Sequence, residues 1–249
     1  MISADNLKVI DEFWCDFFGI SEKQFASPEI KLVAHKDLAD FQGVFCFKRA
    51  NNCIISAPKK LVGFYKADIA KLKPQDIFVS EDFIESFFAN EVKYTAGPAT
   101  LYFLDKNDYQ PMTEYQKNKC RADVRLLLKE DEPLIKAFYT QINPQELHAS
   151  RMKLEDDCHF GCFKDDVLVS LASFEIWNHK LAHLGIATHQ DHRGNHYGKR
   201  VLDAITQAAL QTDMVILFRT LNSNDASLKL AESLGYQKYG ETAAFTLNP

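Results

Sequence analysis

The 249-residue chain has little that would tie it to a membrane, a secretory route or a nucleic acid. No stretch reaches the roughly 18 consecutive apolar residues that a membrane-spanning helix needs. Met1 to Asn6 lack the basic region and apolar core of a signal peptide. Only six cysteines occur (15, 46, 53, 120, 158 and 162), mostly in apolar runs. They read as reduced core residues, which places the protein in the cytoplasm. An excess of one charge is missing too: 29 basic and 34 acidic residues leave a net charge of −5, spread along the chain. Nucleic-acid binders usually show a basic face, so neither nucleic acid nor membrane is expected as a partner. A small basic pocket for one phosphorylated ligand stays compatible with this balance.

Two phosphate-binding signatures are absent. Walker A needs Gly-x-x-x-x-Gly-Lys-Ser/Thr, but Gly194 to Gly198 is one residue short and Arg200 stands in place of the hydroxyl. The dinucleotide fingerprint Gly-x-Gly-x-x-Gly does not occur. Cys158-His159-x-x-Cys162, with His148 upstream, has no second cysteine pair, so no metal site is expected.

With 46% hydrophobic residues, either half of the chain can hold its own core. Apolar residues at 7, 10, 14, 17 and 18 trace one helical stripe ending at Gly19, and Phe13, Trp14, Phe17 and Phe18 read as core packing. Runs at Val44 to Lys48 and Cys53 to Ala57 predict a hairpin. Helical patterns over about 60–72 and 81–90 precede an apolar strand at Thr100 to Leu104. The polar, aperiodic stretch 105–120 reads as a linker. A strand at Val124 to Leu128 and a helix over Asp131 to Ile142 follow. A second hairpin is predicted from Phe160 to Lys164 and Val167 to Phe174, around Asp165-Asp166. Cys46-Phe47-Lys48 and Cys162-Phe163-Lys164 lie 116 residues apart. Either one fold is repeated, or two amphipathic hairpins coincide.

The run His183 to Leu202 carries the chemistry. It starts as a short apolar strand, crosses a polar turn holding Gly194 and Gly198, and enters a helix with apolar residues at 201, 202, 204, 205, 208 and 209. Free backbone N–H groups and the positive end of a helix dipole make such a turn an anion site. Arg193, Lys199 and Arg200 add positive charge beside it. His189, His192 and His196 either assist phosphate binding or form a solvated turn. Met214 to Phe218 then suits a buried strand, and residues 227, 230, 231 and 234 form a helical face closed by Gly235-Tyr236.

Arg193, Gly194 and Gly198 resemble motif A of the GNAT superfamily of N-acyltransferases, whose pattern is Arg/Gln-x-x-Gly-x-Gly/Ala after a strand. His196 stands where that family usually has glycine. If the position needs positive φ, histidine is among the more tolerant residues. The helix ending Leu234-Gly235-Tyr236 resembles motif B of the same superfamily. The resemblance runs from Val124 to the C-terminus. It implies an α/β (α+β) GNAT fold, a mixed twisted sheet flanked by helices. The domains are expected at 1–117, degenerate and GNAT-like, and at 118–249, catalytic.

That resemblance implies transfer of an acetyl group from acetyl-CoA directly to an amine, here of a small molecule. Backbone groups of Ile186, Ala187 and Thr188 would hold the pantetheine arm. The pyrophosphate would lie over Arg193, Gly194, Asn195, His196, Tyr197, Gly198 and Lys199, with Asn224 and Ser227 beside the cofactor. Because amines are mostly protonated at neutral pH, a base is needed, for which Glu175 and His183 stand near the family's usual places. The family's acid tyrosine is replaced by Ala231, which leaves Tyr236 or Tyr239 as substitutes. Trp177, Asn178 and His179 either line an acceptor pocket or form a surface loop. Two other readings stay open: an acyl-CoA-binding module without turnover, and a protein N-terminal or lysine acetyltransferase.

Overall fold

The computed structural model describes residues 1–69, 72, 81–88 and 91–248. In chain order the elements are α1 (Ala4–Phe18), α2 (Glu22–Ala26), β1 (Ile30–Ala34), β2 (Gly43–Arg49), β3 (Asn52–Ala57), α3 (Lys59–Ile69), α4 (Glu81–Phe88) and β4 (Val92–Leu104). Next come α5 (Glu114–Cys120), β5 (Asp123–Leu127), α6 (Glu132–Gln141), α7 (Pro144–Ser150), β6 (Cys158–Lys164), β7 (Val167–Trp177) and β8 (Leu181–Thr188). The chain closes with α8 (Tyr197–Ala209), β9 (Val215–Leu221), α9 (Asp225–Glu232) and β10 (Gln237–Leu247). Mixed sheet flanked by helices is therefore the observed class. Among the described residues no helix is long and apolar enough to cross a membrane.

The chain forms two compact units. One comprises Met1–Ser3, Tyr102–Thr220 and Asn224–Gln237; the other comprises Ala4–Leu101, Leu221–Ser223 and Lys238–Pro249. In the second unit β1 runs parallel to β3, and β2 pairs antiparallel with both β3 and β10. Its core joins Val44, Cys46, Ile55, Ile84, Phe88 and Phe245. Gly19 ends α1 at a φ of +67°. Trp14 packs 4.8 Å from the Phe47 ring, so the aromatic stripe is core packing as the pattern predicts. Residues 70, 71, 89 and 90 of the two expected helices lie outside the described residues.

In the first unit β5, β6, β7 and β8 pair antiparallel in sequence, and β8 pairs parallel with β9. Alternation along these strands, interrupted by a register shift in the β6–β7 pair between Cys162 and Phe163, sorts the two faces. Val169, Ala172, Phe174, Ala182, Leu184, Ile216 and Phe218 pack with Val201, Leu202 and Ile205 of α8. On the other face Leu168 and Leu171 pack with Ile135 and Phe138 of α6, with Ile142 just after it, and with Met152. Each buried Val, Leu, Ile or Phe among them contributes about 1.5–3 kcal/mol, so the amphipathic stripe of α8 fixes that helix on the sheet.

The segment expected to be a linker is structured. Thr113 caps α5 through a reciprocal box with Gln116. Asp203 of α8, fully buried, accepts from the Tyr109 hydroxyl at 2.6 Å and the Met112 N–H at 3.0 Å. Polarity along 105–120 reflects buried hydrogen-bonded anchoring, to which the Gln110 N–H adds a bond to the Leu234 carbonyl at 2.9 Å, rather than a solvated connector.

Candidate active site

A hairpin and a helix start build the site. The β7–β8 register sets Ser170 opposite Thr188 and Glu175 opposite His183. The Ser170 hydroxyl donates to the Ala187 carbonyl at 2.9 Å and lies 2.8 Å from the Thr188 hydroxyl, fixing the end of β8. On its other side β8 pairs with β9 only from Leu181↔Val215 to Leu184↔Phe218. Both strands continue, β8 to Thr188 and β9 to Leu221. From Gly185 onward they have parted, so the backbone of Ile186, Ala187 and Thr188 lines an opening.

Below that opening the turn enters α8. Gly194 has a φ of +78° with no atom within 4 Å of where a Cβ would stand, so conformation rather than space calls for glycine there. Gly198 is the opposite case: a Cβ would come within 3.0 Å of the Thr188 hydroxyl and 3.5 Å of Ile186. His196 takes the left-handed conformation at φ +63°, as the turn demands, and makes no side-chain cap. The first bond of the helix runs from the Arg200 N–H to the His196 carbonyl at 2.9 Å. The N–H groups of Tyr197, Gly198 and Lys199 precede it, with the positive end of the dipole behind them. The residues present therefore fit a pyrophosphate.

Side chains around the turn are partly committed. Arg193 donates to the Thr188 carbonyl at 3.2 Å and to Glu146 at 2.5 Å, so Glu146 already offsets its charge. Asn195 donates to the carbonyls of His192 and Arg193, tightening the turn. Lys199 reaches the Ser233 carbonyl at 3.3 Å. Tyr197 is buried in the core. The Asn224 side chain caps α9, accepting from the Ser227 N–H at 3.1 Å.

Glu175 and His183 share the face covered by α6 and α7. His183 is buried, and its ring stacks on Trp177 with centroids 4.4 Å apart. Burial, with the charges of Arg151 and Arg219, pulls its pKa down to about 3. Its Nε2 has no hydrogen-bond partner among the described residues. Glu175 is half-buried, accepting from Lys153 at 2.8 Å and from the Trp177 indole at 3.0 Å. Burial raises its pKa, but those two bonds and the Lys153 charge outweigh it and hold the carboxyl below its ordinary value. At neutral pH the pair is thus a neutral imidazole facing an ionised carboxylate.

Other expected residues lie elsewhere. The Tyr236 hydroxyl is buried against Thr206 at 2.8 Å, and burial raises its pKa, so it closes the core behind α8. Tyr239 belongs to the second unit and bonds Asp11 and Arg49 there. Asn178 and His179 are exposed and form the β7–β8 turn at φ +48° and +55°. Cys158 and Cys162 pack into the core, while His159 lies buried and bonds the Lys153 carbonyl at 2.9 Å. Sequence reading missed Ser170, Lys153, Arg151 and Arg219. None sits in a motif, and only Gly185, where a Cβ would come within 2.5 Å of the Ser150 carbonyl, marks the crossing that brings two of them in.

The model of the acetyltransferase (GNAT) family matches residues 122–236, spanning the hairpin, the turn and α9. Residues 122–236 are a GNAT acetyltransferase domain. The fold is shared with a solved GNAT-family structure, and others are similar to the chain in part. A GNAT-family protein from Novosphingobium aromaticivorans is 17% identical with a TM-score of 0.50, over 63% of this chain and 66% of that one. A GNAT-family acetyltransferase from Colwellia psychrerythraea gives 16% and 0.47, over 67% and 62%. A GCN5-related N-acetyltransferase from Kribbella flavida gives 13% and 0.49, over 67% and 64%. The chain thus spans just under two thirds of each of these structures. No curated protein sequence matches. The GNAT domain is an acyltransferase domain by this membership.

Proposed function

We propose that the protein is an N-acetyltransferase that moves the acetyl group of acetyl-CoA directly to an amine of a small molecule. One observation carries this reading: β8 and β9 part after Leu184↔Phe218 directly above the uncapped start of α8. When bound there, acetyl-CoA supplies the activated acyl group. The backbone of Ile186, Ala187 and Thr188 orients the pantetheine arm, and the N–H groups at the start of α8, with Arg193, Gly194, Asn195, His196 and Lys199 around them, bind the pyrophosphate. Asn224 and Ser227 support that site through the cap of α9.

Glu175 takes the amine proton, being ionised at neutral pH and half-exposed. His183, neutral and buried, positions Trp177 and through it Glu175, because the indole contacts both. Tyr236 is not assigned as the acid, and the leaving thiolate takes its proton from solvent. The six free cysteines suit a reducing, cytoplasmic setting. Residues 118–249 form the catalytic domain in this reading and residues 1–117 a degenerate GNAT-like one. The matching β2–β3 and β6–β7 hairpins support that division.

Release of CoA from acetyl-CoA, followed across a panel of small amines and of peptides, tests the proposal. Amine-dependent release with an acetylated product of matching mass is the expected result. Tight acetyl-CoA binding without turnover of any acceptor overturns it in favour of a binding module, and turnover of peptides alone in favour of protein acetylation.

A further inference from the structure

One strand edge of the second unit is open. β1 is an outermost strand and pairs only with β3. The Cys53 N–H donates to the Glu29 carbonyl at 3.4 Å, and the His35 N–H to the Ala57 carbonyl at 3.0 Å. Odd-numbered residues therefore turn their backbone groups toward β3, and Ile30, Leu32 and Ala34 turn theirs outward. Among the described residues nothing bonds those outward groups. Edges are usually guarded by charge, proline or a bulge. β1 holds no proline, and its register runs unbroken from Ile30↔Cys53 to Ala34↔Ala57. Its one charged residue, Lys31, folds back onto the carbonyls of Ser27 and Glu29. The edge is also held in place at its far end. His35 Nε2 donates to the Gly43 carbonyl at 3.0 Å, which leaves Nδ1 to accept from the Ser56 hydroxyl at 2.6 Å.

That edge floors a groove of about 690 Å³, within the size range of ligand sites. Phe18 and Ile20 wall one side of it, and Val62 and Gly63 of α3 wall the other. Gly63 has no positive φ, and a Cβ there would meet nothing within 4 Å. Glycine inside a helix is destabilising relative to alanine, so neither conformation nor packing within the fold calls for it. A backbone running closely along the groove does call for it. The charge of the groove is one-sided. Lys36 and Lys59, both exposed, are the only charged residues that line it among those described. They stand at the same end, Lys36 two residues beyond Ala34 and Lys59 two residues beyond Ala57, the register partner of Ala34. There α3 begins, its first bond running from the Val62 N–H to the Pro58 carbonyl at 3.2 Å. The N–H groups of Lys59, Lys60 and Leu61 precede that bond, at the positive end of the helix dipole.

We infer that this groove takes the extended C-terminal tail of a partner polypeptide, added as a strand parallel to β1 with its carboxylate at Lys36 and Lys59. Charge sets the direction. A parallel strand brings its carboxylate to the end where the lysines stand, whereas an antiparallel one would bring its N-terminal side there. Pairing with the outward groups of Leu32 and Ala34 supplies affinity, and the two apolar walls take alternate side chains. The inference concerns the second unit alone and does not depend on the acetyl-transfer reading.

The test uses the labelled full chain on a synthetic library of random heptapeptides with free carboxyl termini, beside the same library amidated. Free-acid peptides should bind, and their amides about tenfold more weakly, because bonds to a charged acceptor are the stronger kind. Lys59→Glu and Gly63→Leu should each weaken the strongest peptide by about tenfold or more. Both positions are exposed, so the variants keep the fold, which circular dichroism checks. Backbone N-methylation of that peptide then reads the strand. Methyl groups on alternate nitrogens should abolish binding in one phase and spare it in the other, since alternate N–H groups face β1. Equal binding of acids and amides, indifference to both substitutions, or equal effects of the two methylation phases overturns the inference. So does the lack of any bound peptide at about 1 mM, the weak end of specific recognition. Sedimentation runs beside the library: a dimer that Gly63→Leu dissolves, with no peptide bound, would give the groove to a second copy and overturn the inference as well.

Discussion

Glu175 and His183 stand opposite each other across the β7–β8 pair, and Trp177 touches both, stacking on the imidazole at 4.4 Å and donating to the carboxylate at 3.0 Å. Two titratable groups on neighbouring strands thus have opposite fates. Burial and two arginines keep the histidine uncharged, while lysine and indole donors keep the glutamate charged.

Stability should record the state of His183. Its pKa is about 3 in the fold against 6.5 ordinarily. As pH falls below about 6.5 the unfolded chain takes up a proton that the folded chain refuses until about pH 3. The stabilisation is therefore full above the upper value and lost on the way down. One such group adds at most about 1.4 kcal/mol per pH unit to the slope. In His183→Phe, which retains an aromatic stack on Trp177, the melting temperature should fall less steeply between pH 6.5 and 4 than in the wild type. Parallel slopes would show that His183 titrates normally.

Glu175→Gln and Tyr236→Phe should separate chemistry from packing. Removing a general base typically costs about 10²- to 10⁴-fold in rate, whereas the half-exposed Glu175–Lys153 pair is worth no more than about 1 kcal/mol of stability. Tyr236→Phe deletes only the hydroxyl bonded to Thr206, a loss of about 1 kcal/mol of stability with kcat nearly unchanged. The reverse pattern, a rate collapse in Tyr236→Phe, would restore the tyrosine as the acid. Steady-state kinetics with chemical denaturation reads both quantities.

Gly198→Ala sets two effects against each other. A helical alanine gains up to about 1 kcal/mol over glycine, yet the new Cβ would stand 3.0 Å from the Thr188 hydroxyl, which Ser170 holds at 2.8 Å. Melting temperature should change little while acetyl-CoA affinity drops. His196→Gly should differ from both, relieving the left-handed strain and leaving affinity equal or higher. Weaker cofactor binding in His196→Gly than in Gly198→Ala would contradict the placement of the pyrophosphate.

Much of this was legible because local pattern and chemistry coincide. Arg193, Gly194 and Gly198 announce the turn, and the apolar stripe of α8 announces the helix behind it. Asp165 and Asp166, both at positive φ, sit at the hairpin turn that the sequence pattern predicts. Less legible were contacts set by register and crossing. Nothing at Arg151 or Arg219 marks them as neighbours of His183. The 105–120 segment reads as a linker because its partners, Asp203 and the Leu234 carbonyl, lie far along the chain. The sequence shows β4 only from Thr100, in its buried end, since Gly97 and Pro98 mask the exposed beginning. Tyr236 reads as a candidate acid from its place after motif B, but its hydroxyl turns inward onto Thr206.

Gly185→Ala should uncouple acceptor from cofactor. The added Cβ meets the Ser150 carbonyl and Met152, so the segment carrying Arg151 and Lys153 must shift, at a stability loss of about 1–3 kcal/mol. Acceptor KM should rise while the acetyl-CoA dissociation constant holds. Equal losses of both, measured by kinetics and calorimetry on one preparation, would place the two sites on the same element.

Acetyl-CoA should bind where β8 and β9 part beside the start of α8, and calorimetry on the wild type and an Arg193→Glu, Gly198→Glu double variant decides it. The wild type should bind one acetyl-CoA per chain, and the variant, folded by circular dichroism, should bind none at millimolar ligand. Equal binding by the two proteins, or none by the wild type, would contradict the account.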